Sequence, residues 1–449
     1  MTTTTNKPTF WEKYSAIIKI ITIGILILLL LIPTAMIRSL IREREYRQYE
    51  TIMEVSNDWG GSKTLVGPVL TIPYYTYYTG SKGQTYKSSV KYSHFLPEQL
   101  TINSKLNPQN LNRGLYDVMV YDSKIHFTGN FLFPEINEWN KEDVIISWEE
   151  AILTFGINDM RGINDLISFK WNESELSFEP VIPVQDVIKT GLYAKVDIDT
   201  TVKSFSFSFD VNLKGSNELN FVPVGKETIV EMVSEWGNPS FHGNFLPDKR
   251  KIDQSGFSSY WKILQMNREF PQKWIGDAYD IEYSSSGVTL LQPVGTYQKT
   301  MRSVKYSVLF ITLTFLIFFF VEIINKLKIH PINYILVGLG LCLFYVLLLS
   351  LSEHLKFIYA YIIGSAGIIG LITVYSISIL KKLRLSVLML LVLIILYSYI
   401  YILLQLQDYA LLMGSIGLFI ALATVMYLSR KINWYTVGLK GNVGEPNVE

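Results

Sequence analysis

The stretch PINYILVGLGLCLFYVLLLSLS, Pro331 to Ser352, contains no charged side chain over 22 residues. A helix over it rises about 33 Å, enough to cross the roughly 30 Å of bilayer hydrocarbon. Similar uncharged runs flank it: Tyr306 to Val321 before, then Phe357 to Leu380, Leu385 to Gln407 and Tyr409 to Ser429 after. Only short breaks separate them, at Asn325–His330, Glu353–Lys356, Lys381–Arg384 and Asp408. Connections this tight make consecutive helices antiparallel neighbours. In lipid, a helix is the structure that satisfies its own backbone over one such run. Five spans are predicted, at 304–325, 331–352, 357–380, 385–407 and 409–429.

A sixth run lies near the N-terminus, where Ile20 to Ile37 is free of charge and Lys19 can snorkel at its edge. It is long for the core of a signal peptide, and Pro33-Thr34-Ala35-Met36 makes a poor cleavage site. An uncleaved anchor over 16–37 is therefore expected. Basic residues in the short loops set the orientation. With residues 1–15 in the cytoplasm, the inner loops hold Lys326, Lys328, Lys381, Lys382 and Arg384, and the tail 430–449 holds Arg430, Lys431 and Lys440; the outer loops hold Lys356. Arg38, Arg42, Arg44 and Arg47 run against this pattern, but long translocated domains largely escape the rule. Both termini are then cytoplasmic, and residues 38–302 lie outside the plasma membrane.

That intervening segment changes character. Arg38 to Glu54 continues as a helix, with Glu43 and Arg47 as an i,i+4 pair, and Trp59-Gly60-Gly61 ends it. Beyond it the apolar period becomes two. Ser204 to Leu213 alternates without error, Phe205, Phe207, Phe209, Val211 and Leu213 against serine, aspartate and asparagine, as in a half-buried antiparallel strand. Lys214 to Asn217 is read as its turn before a strand over Leu219–Val224. Thr64–Tyr75, Val118–Tyr121, Ile125–Phe133 and Thr228–Val233 are further strand candidates, with Pro68 and Pro73 pushing the first toward an edge or a bulge. The predicted fold is an α+β membrane protein, with one plus five transmembrane helices around a large, β-rich, sandwich-like domain of one or two lobes.

Composition excludes several functions. A net charge of +1, with no basic stripe interleaved with aromatics, gives no footprint for nucleic acid. The one cysteine, Cys342, cannot make an intrachain disulfide, so the domain must hold together by packing. No P-loop, G-x-G-x-x-G, H-E-x-x-H or G-x-S-x-G occurs, and the histidines at 94, 126, 242, 330 and 354 are scattered. No cofactor or metal is expected, and Glu149-Glu150 is read as solvated surface.

Charges near membrane depth are the better leads, because they are expensive to keep there. Glu322 follows four aromatic or branched residues, and Lys326 is its i+4 candidate partner. Glu353 and His354 end a span on the outer side, where they could form a polar site facing the soluble domain. His330-Pro331 suits a helix start, and Gly364, Gly367 and Gly370 suit close helix packing. Trp236, Phe241, Phe245, Phe257 and Trp261 read as core aromatics, or else as a platform for an envelope ligand. Arg161 beside Gly162 reads as a carboxylate anchor across a turn.

Ordered motifs carry a family resemblance. Ser234-Glu-Trp236-Gly-Asn-Pro239-Ser240-Phe241-His-Gly243-Asn-Phe245-Leu246-Pro247, followed by Ser255-Gly256-Phe257 and Trp261, resembles the signature of the CreD family of bacterial inner-membrane proteins. Leu65-Val66-Gly67-Pro68, His94-Phe95-Leu96-Pro97-Glu98, Arg161-Gly162-Ile163, His330-Pro331, Phe344-Tyr345 to Glu353-His354 and Asp408-Tyr-Ala410 are similar as well. The match ends at Arg430-Lys431-Ile432-Asn433-Trp434-Tyr435, departing at Asn433, where the family pattern has aspartate. The resemblance implies an inner-membrane protein tied to envelope integrity and colicin tolerance, controlled in some bacteria by the CreBC two-component system and with no established reaction; with no catalytic constellation in the sequence, a non-enzymatic role is expected. It supplies no catalytic residues. The partners expected are the lipid bilayer and an envelope protein or ligand at the soluble domain. A transporter or channel through the five-helix block is the second reading, and a hydrolase using Glu353 and His354 the third.

Overall fold

A computed structural model describes residues 15–79, 84–135, 144–290, 295–406 and 409–430. Asp408 and the end of the family match beyond Arg430 fall outside these residues. The chain separates into two compact units, one of Met1–Arg47 with Val294–Glu449, the other of Gln48–Pro293.

The first unit is helical. Helix α1, Ser15–Asp58, is continuous for 44 residues with Pro33 inside it, its residues from Gln48 on belonging to the second unit. At 1.5 Å per residue it is about 66 Å long, roughly twice the hydrocarbon thickness. Ile23, Leu26, Leu30, Ile37 and Ile41 are buried and recur at helical spacing, giving one packed stripe. The helix stops where the sequence supplies two glycines. Gly60 and Gly61 take φ of +106° and +67°, and the Gly61 N–H returns to the Ser56 carbonyl at 2.7 Å.

The remaining helices are α2 (Thr296–Lys305), α3 (Ser307–Ile324), α4 (Pro331–Ser352), α5 (Phe357–Leu380), α6 (Leu383–Gln405) and α7 (Ala410–Ser429). Among the described residues six helices, α1 and α3 to α7, are long and apolar enough to cross a membrane. α4 starts as its sequence demands. Pro331 fills the first turn, and the His330 ring accepts the Ile332 N–H. The short α2 is new relative to the hydropathy pattern, which runs one span from 304. It is amphipathic, burying Tyr297, Thr300, Ser303 and Val304, and Tyr306 separates it from α3.

The second unit is built of two sheets. One runs, in spatial order, Glu179–Pro180, Gly191–Lys195, Ile152–Ile157, Lys63–Thr79, Glu218–Val222, Ser286–Leu290 and Pro239–Gly243. The other runs Lys249–Asp253, Gly256–Leu264, Glu227–Ser234, Gln99–Arg113, Tyr116–Leu132, Ser204–Ser216, Ser168–Trp171 and Ser174–Ser177. Phe205, Phe207, Phe209, Val211 and Leu213 all point inward at 2% exposure or less, so the alternation does set this strand's face. Full burial of such a side chain is worth about 2 kcal/mol. Phe127 and Phe209 stack at 4.8 Å and meet Phe155 of the opposite sheet at 5.0 and 5.1 Å. Phe221 meets Trp261 across the same gap at 5.4 Å. One core joins both sheets, not two lobes.

Several strands differ from the pattern. Val118–Tyr121 and Ile125–Phe133 merge into one long strand, Tyr116–Leu132. Gln99–Arg113 is a strand despite Pro108, since it pairs along its whole length with Tyr116–Leu132. Lys63–Thr79 is internal and not an edge, held antiparallel to Ile152–Ile157 and parallel to Glu218–Val222, while the expected bulge is present as a register shift between Val66 and Val69, at Pro68. Lys214–Asn217 is no hairpin turn. At Asn217, with φ of +59°, the chain passes from one sheet to the other.

Candidate functional site

The sequence leads converge at two nodes of the helical unit. Glu322 ends α3 and is 2% exposed. Its Oε1 accepts the backbone N–H of Ile329 at 2.7 Å, and its Oε2 accepts the Tyr334 hydroxyl at 2.9 Å. The Lys19 ammonium closes the cage by donating to Oε1, and it approaches the Ile329 carbonyl at 3.4 Å. Lys326, the i+4 candidate, is exposed in the following turn at φ +54° and does not make this pair. The reason is geometric: the helix ends at Ile324, so the i+4 face no longer exists at residue 326. Lys19 is thus not a simple snorkelling residue. Helix packing above the node agrees, because Gly338 of α4 leaves the room that Leu30 of α1 and Phe315 of α3 occupy.

The second node is at the other end. Glu353 follows α4, and its Oε1 accepts the Tyr297 hydroxyl of α2 at 3.0 Å and lies 3.8 Å from Arg44 Nε of α1. His354 is exposed, and its backbone N–H bonds Leu351. The carboxylate therefore serves α1 and α2, and not a Glu–His pair. Of the three glycines of α5, only Gly364 has a neighbouring side chain, Phe344, within packing distance; Gly367 and Gly370 face open space. Cys342 is buried in α4.

In the β unit, Arg161 donates from Nε and Nη2 to Asp159 at 3.1 and 2.7 Å, and Asp159 also caps the turn through the Arg161 N–H. The guanidinium holds the Asp159 carboxyl below its usual range. Lys63, fully buried beneath, donates to the Asp159 carbonyl at 2.5 Å, and burial lowers its pKa. This is a structural clamp, with Gly162 packed against the Lys63 stem. Trp261 and Phe257 are core, while Trp236, Phe241 and Phe245 are half-buried and pack against it. Phe241 meets Phe257 and Trp261 edge-on at 5.6 and 5.7 Å. They form part of the rim of the core. Glu149 and Glu150 are exposed in a single 3₁₀ turn.

Sequence reasoning names His94 only as one of the scattered histidines and in a family motif, and gives its burial no weight. His94 is 1% exposed, with Nδ1 against the Thr71 hydroxyl at 2.9 Å, Nε2 3.5 Å from Asp186, and Trp274 tilted over the ring at 5.7 Å. Burial pushes its pKa down to about 4, and Asp186 opposes that only in part. No group of three His, Cys, Asp or Glu side chains placed to hold a metal occurs among the described residues.

Two comparisons bear on identity. The family model described as "Inner membrane protein CreD" matches residues 15–435. The Inner membrane protein CreD of Escherichia coli (strain K12) is 31% identical over 438 residues, covering 96% of this chain and 95% of that protein. The match spans both units and every node described above, and the chain belongs to the CreD family of inner-membrane proteins.

Proposed function

We propose that the chain supports the integrity of the cell envelope from the bacterial inner membrane without catalysing a reaction. The helical unit serves as a base, and the β-rich module is exposed outside the cytoplasm, with both termini inside. One observation carries this reading. Glu322 and Glu353, the carboxylates at the two nodes of the helical unit, are occupied in joining helices. A group held by that many donors is a fixed strut, poorly suited to shuttle protons or bind a passing ion. The loop cations Lys326, Lys328, Lys381, Lys382 and Arg384 against Lys356 support the orientation.

Deletion of the gene is expected to raise sensitivity to detergent and to envelope-active antibiotics, and the Glu353→Gln, His354→Ala double variant is expected to restore resistance. A deletion strain as tolerant as wild type overturns the envelope role. A double variant that accumulates normally and yet fails to complement overturns the non-catalytic part instead.

A further inference from the structure

Cations gather at the end of the helical unit where α1 leaves its apolar run. Arg38 is the first charged residue after Ile20–Ile37, Lys305 the last before α3, and Lys356 the last before α5. Each therefore flanks a span at the depth of the lipid phosphates. Arg42 lies one turn beyond Arg38 on the same face of α1. Lys299 of α2 sits over the Phe357 ring of α5 at 5.7 Å. The Glu353 node ties these elements together, since it links α1, α2 and the end of α4. Among the described residues none of these five cations has a carboxylate partner, and Arg38 Nε is buried without an acceptor. Against them stand Glu43, already paired with Arg47 at 2.6 Å, Glu353, beside Arg44, and Glu45.

This arrangement asks for anions. We propose that this end of the helical unit selectively binds the phosphate headgroups of anionic phospholipids. The Arg38 and Arg42 guanidiniums, with their planar donor sets, and the Lys299, Lys305 and Lys356 ammoniums supply the charge at this end, where each basic residue near the headgroups contributes on the order of a fivefold gain in affinity.

The test uses the full chain in phosphatidylcholine nanodiscs with and without phosphatidylglycerol, reading lipid retention by native mass spectrometry and thermal stability. Phosphatidylglycerol is expected to be retained preferentially and to raise the thermal midpoint. The Arg42→Gln, Lys299→Gln, Lys305→Gln variant should bind it on the order of a hundredfold more weakly, with unchanged stability in phosphatidylcholine alone. Arg42→Lys, Lys299→Arg, Lys305→Arg should retain it. Neutralising Lys326, Lys328 and Lys382 at the opposite end serves as the control. The proposal is overturned if the glutamine variant retains phosphatidylglycerol like wild type, or if the control variant loses it equally. It is overturned as well if inorganic phosphate stabilises the protein in place of the lipid.

Discussion

Glu322→Ala is expected to loosen the helical unit by about 3–5 kcal/mol, the loss seen when one member of a buried ion pair is removed. Three donors aim at this carboxylate: the Lys19 ammonium, the Ile329 N–H and the Tyr334 hydroxyl. Removing the acceptor leaves a cation at the edge of the membrane and two polar groups without their bonds, each a separate penalty. Lys19 is partly accessible, at 28%, and water can relieve some of the charge, so the lower end of the range is expected. The paired variant Lys19→Met, Glu322→Met removes both charges and should recover more than half of the loss, because matched apolar residues replace a buried pair at little net change. Unfolding of the purified chain in mixed detergent micelles, followed by helical circular dichroism, measures both. An unaffected single variant contradicts the staple, and so does a paired variant no better than the single.

The second large effect is acid-linked. His94 is buried neutral, and its pKa falls from an ordinary 6.5 to about 4. As pH drops through 6.5 the unfolded chain takes up a proton that the folded chain refuses until about 4. Stability from this group is therefore complete above pH 6.5 and lost on descent to pH 4, with roughly 2–3 kcal/mol gone between pH 7.5 and 4.5. His94→Gln lowers stability at pH 7.5, through the lost Thr71 contact, but should flatten the slope over this window. Denaturant unfolding of the wild type and the variant across the window decides it, and an identical acid slope in both rules out His94 as the source.

Much of this architecture was legible in the chain. Five of the six uncharged runs reach 18 residues or more, and lipid leaves each one structure to adopt, while Tyr306–Val321 is shorter and spans only with its flanking residues. The strict alternation at Ser204–Leu213 named both strand and buried face, because period two admits one assignment. Longer-range facts were hidden. Lys63–Thr79 is internal because Glu218–Val222 lies beside it in parallel, a pairing between residues more than 150 apart that no local pattern encodes. Gln99–Arg113 reads as polar and carries a proline, yet its partner supplies the ladder. The same distinction governs the nodes. Glu322 stood out as a charge at the end of an apolar run, but its partner was taken from the nearest helical spacing. The partner that tertiary packing selected, Lys19, lies 303 residues away. The available signal was a matched pair of single charges, one at the rim of each span. His94 gave no such cue, since burial and not spacing makes it unusual.

The central claim, a helical membrane base with the β-rich module on the far side from the cytoplasm, is tested most directly by site-specific labelling. Cys342→Ala removes the native thiol. Single cysteines are then placed at Leu166, fully exposed in the β unit, and at Lys328, exposed between α3 and α4. A membrane-impermeant maleimide added to spheroplasts should label Leu166→Cys at once and Lys328→Cys only after the membrane is broken. Labelling of position 328 and protection of position 166 in intact spheroplasts would contradict the account.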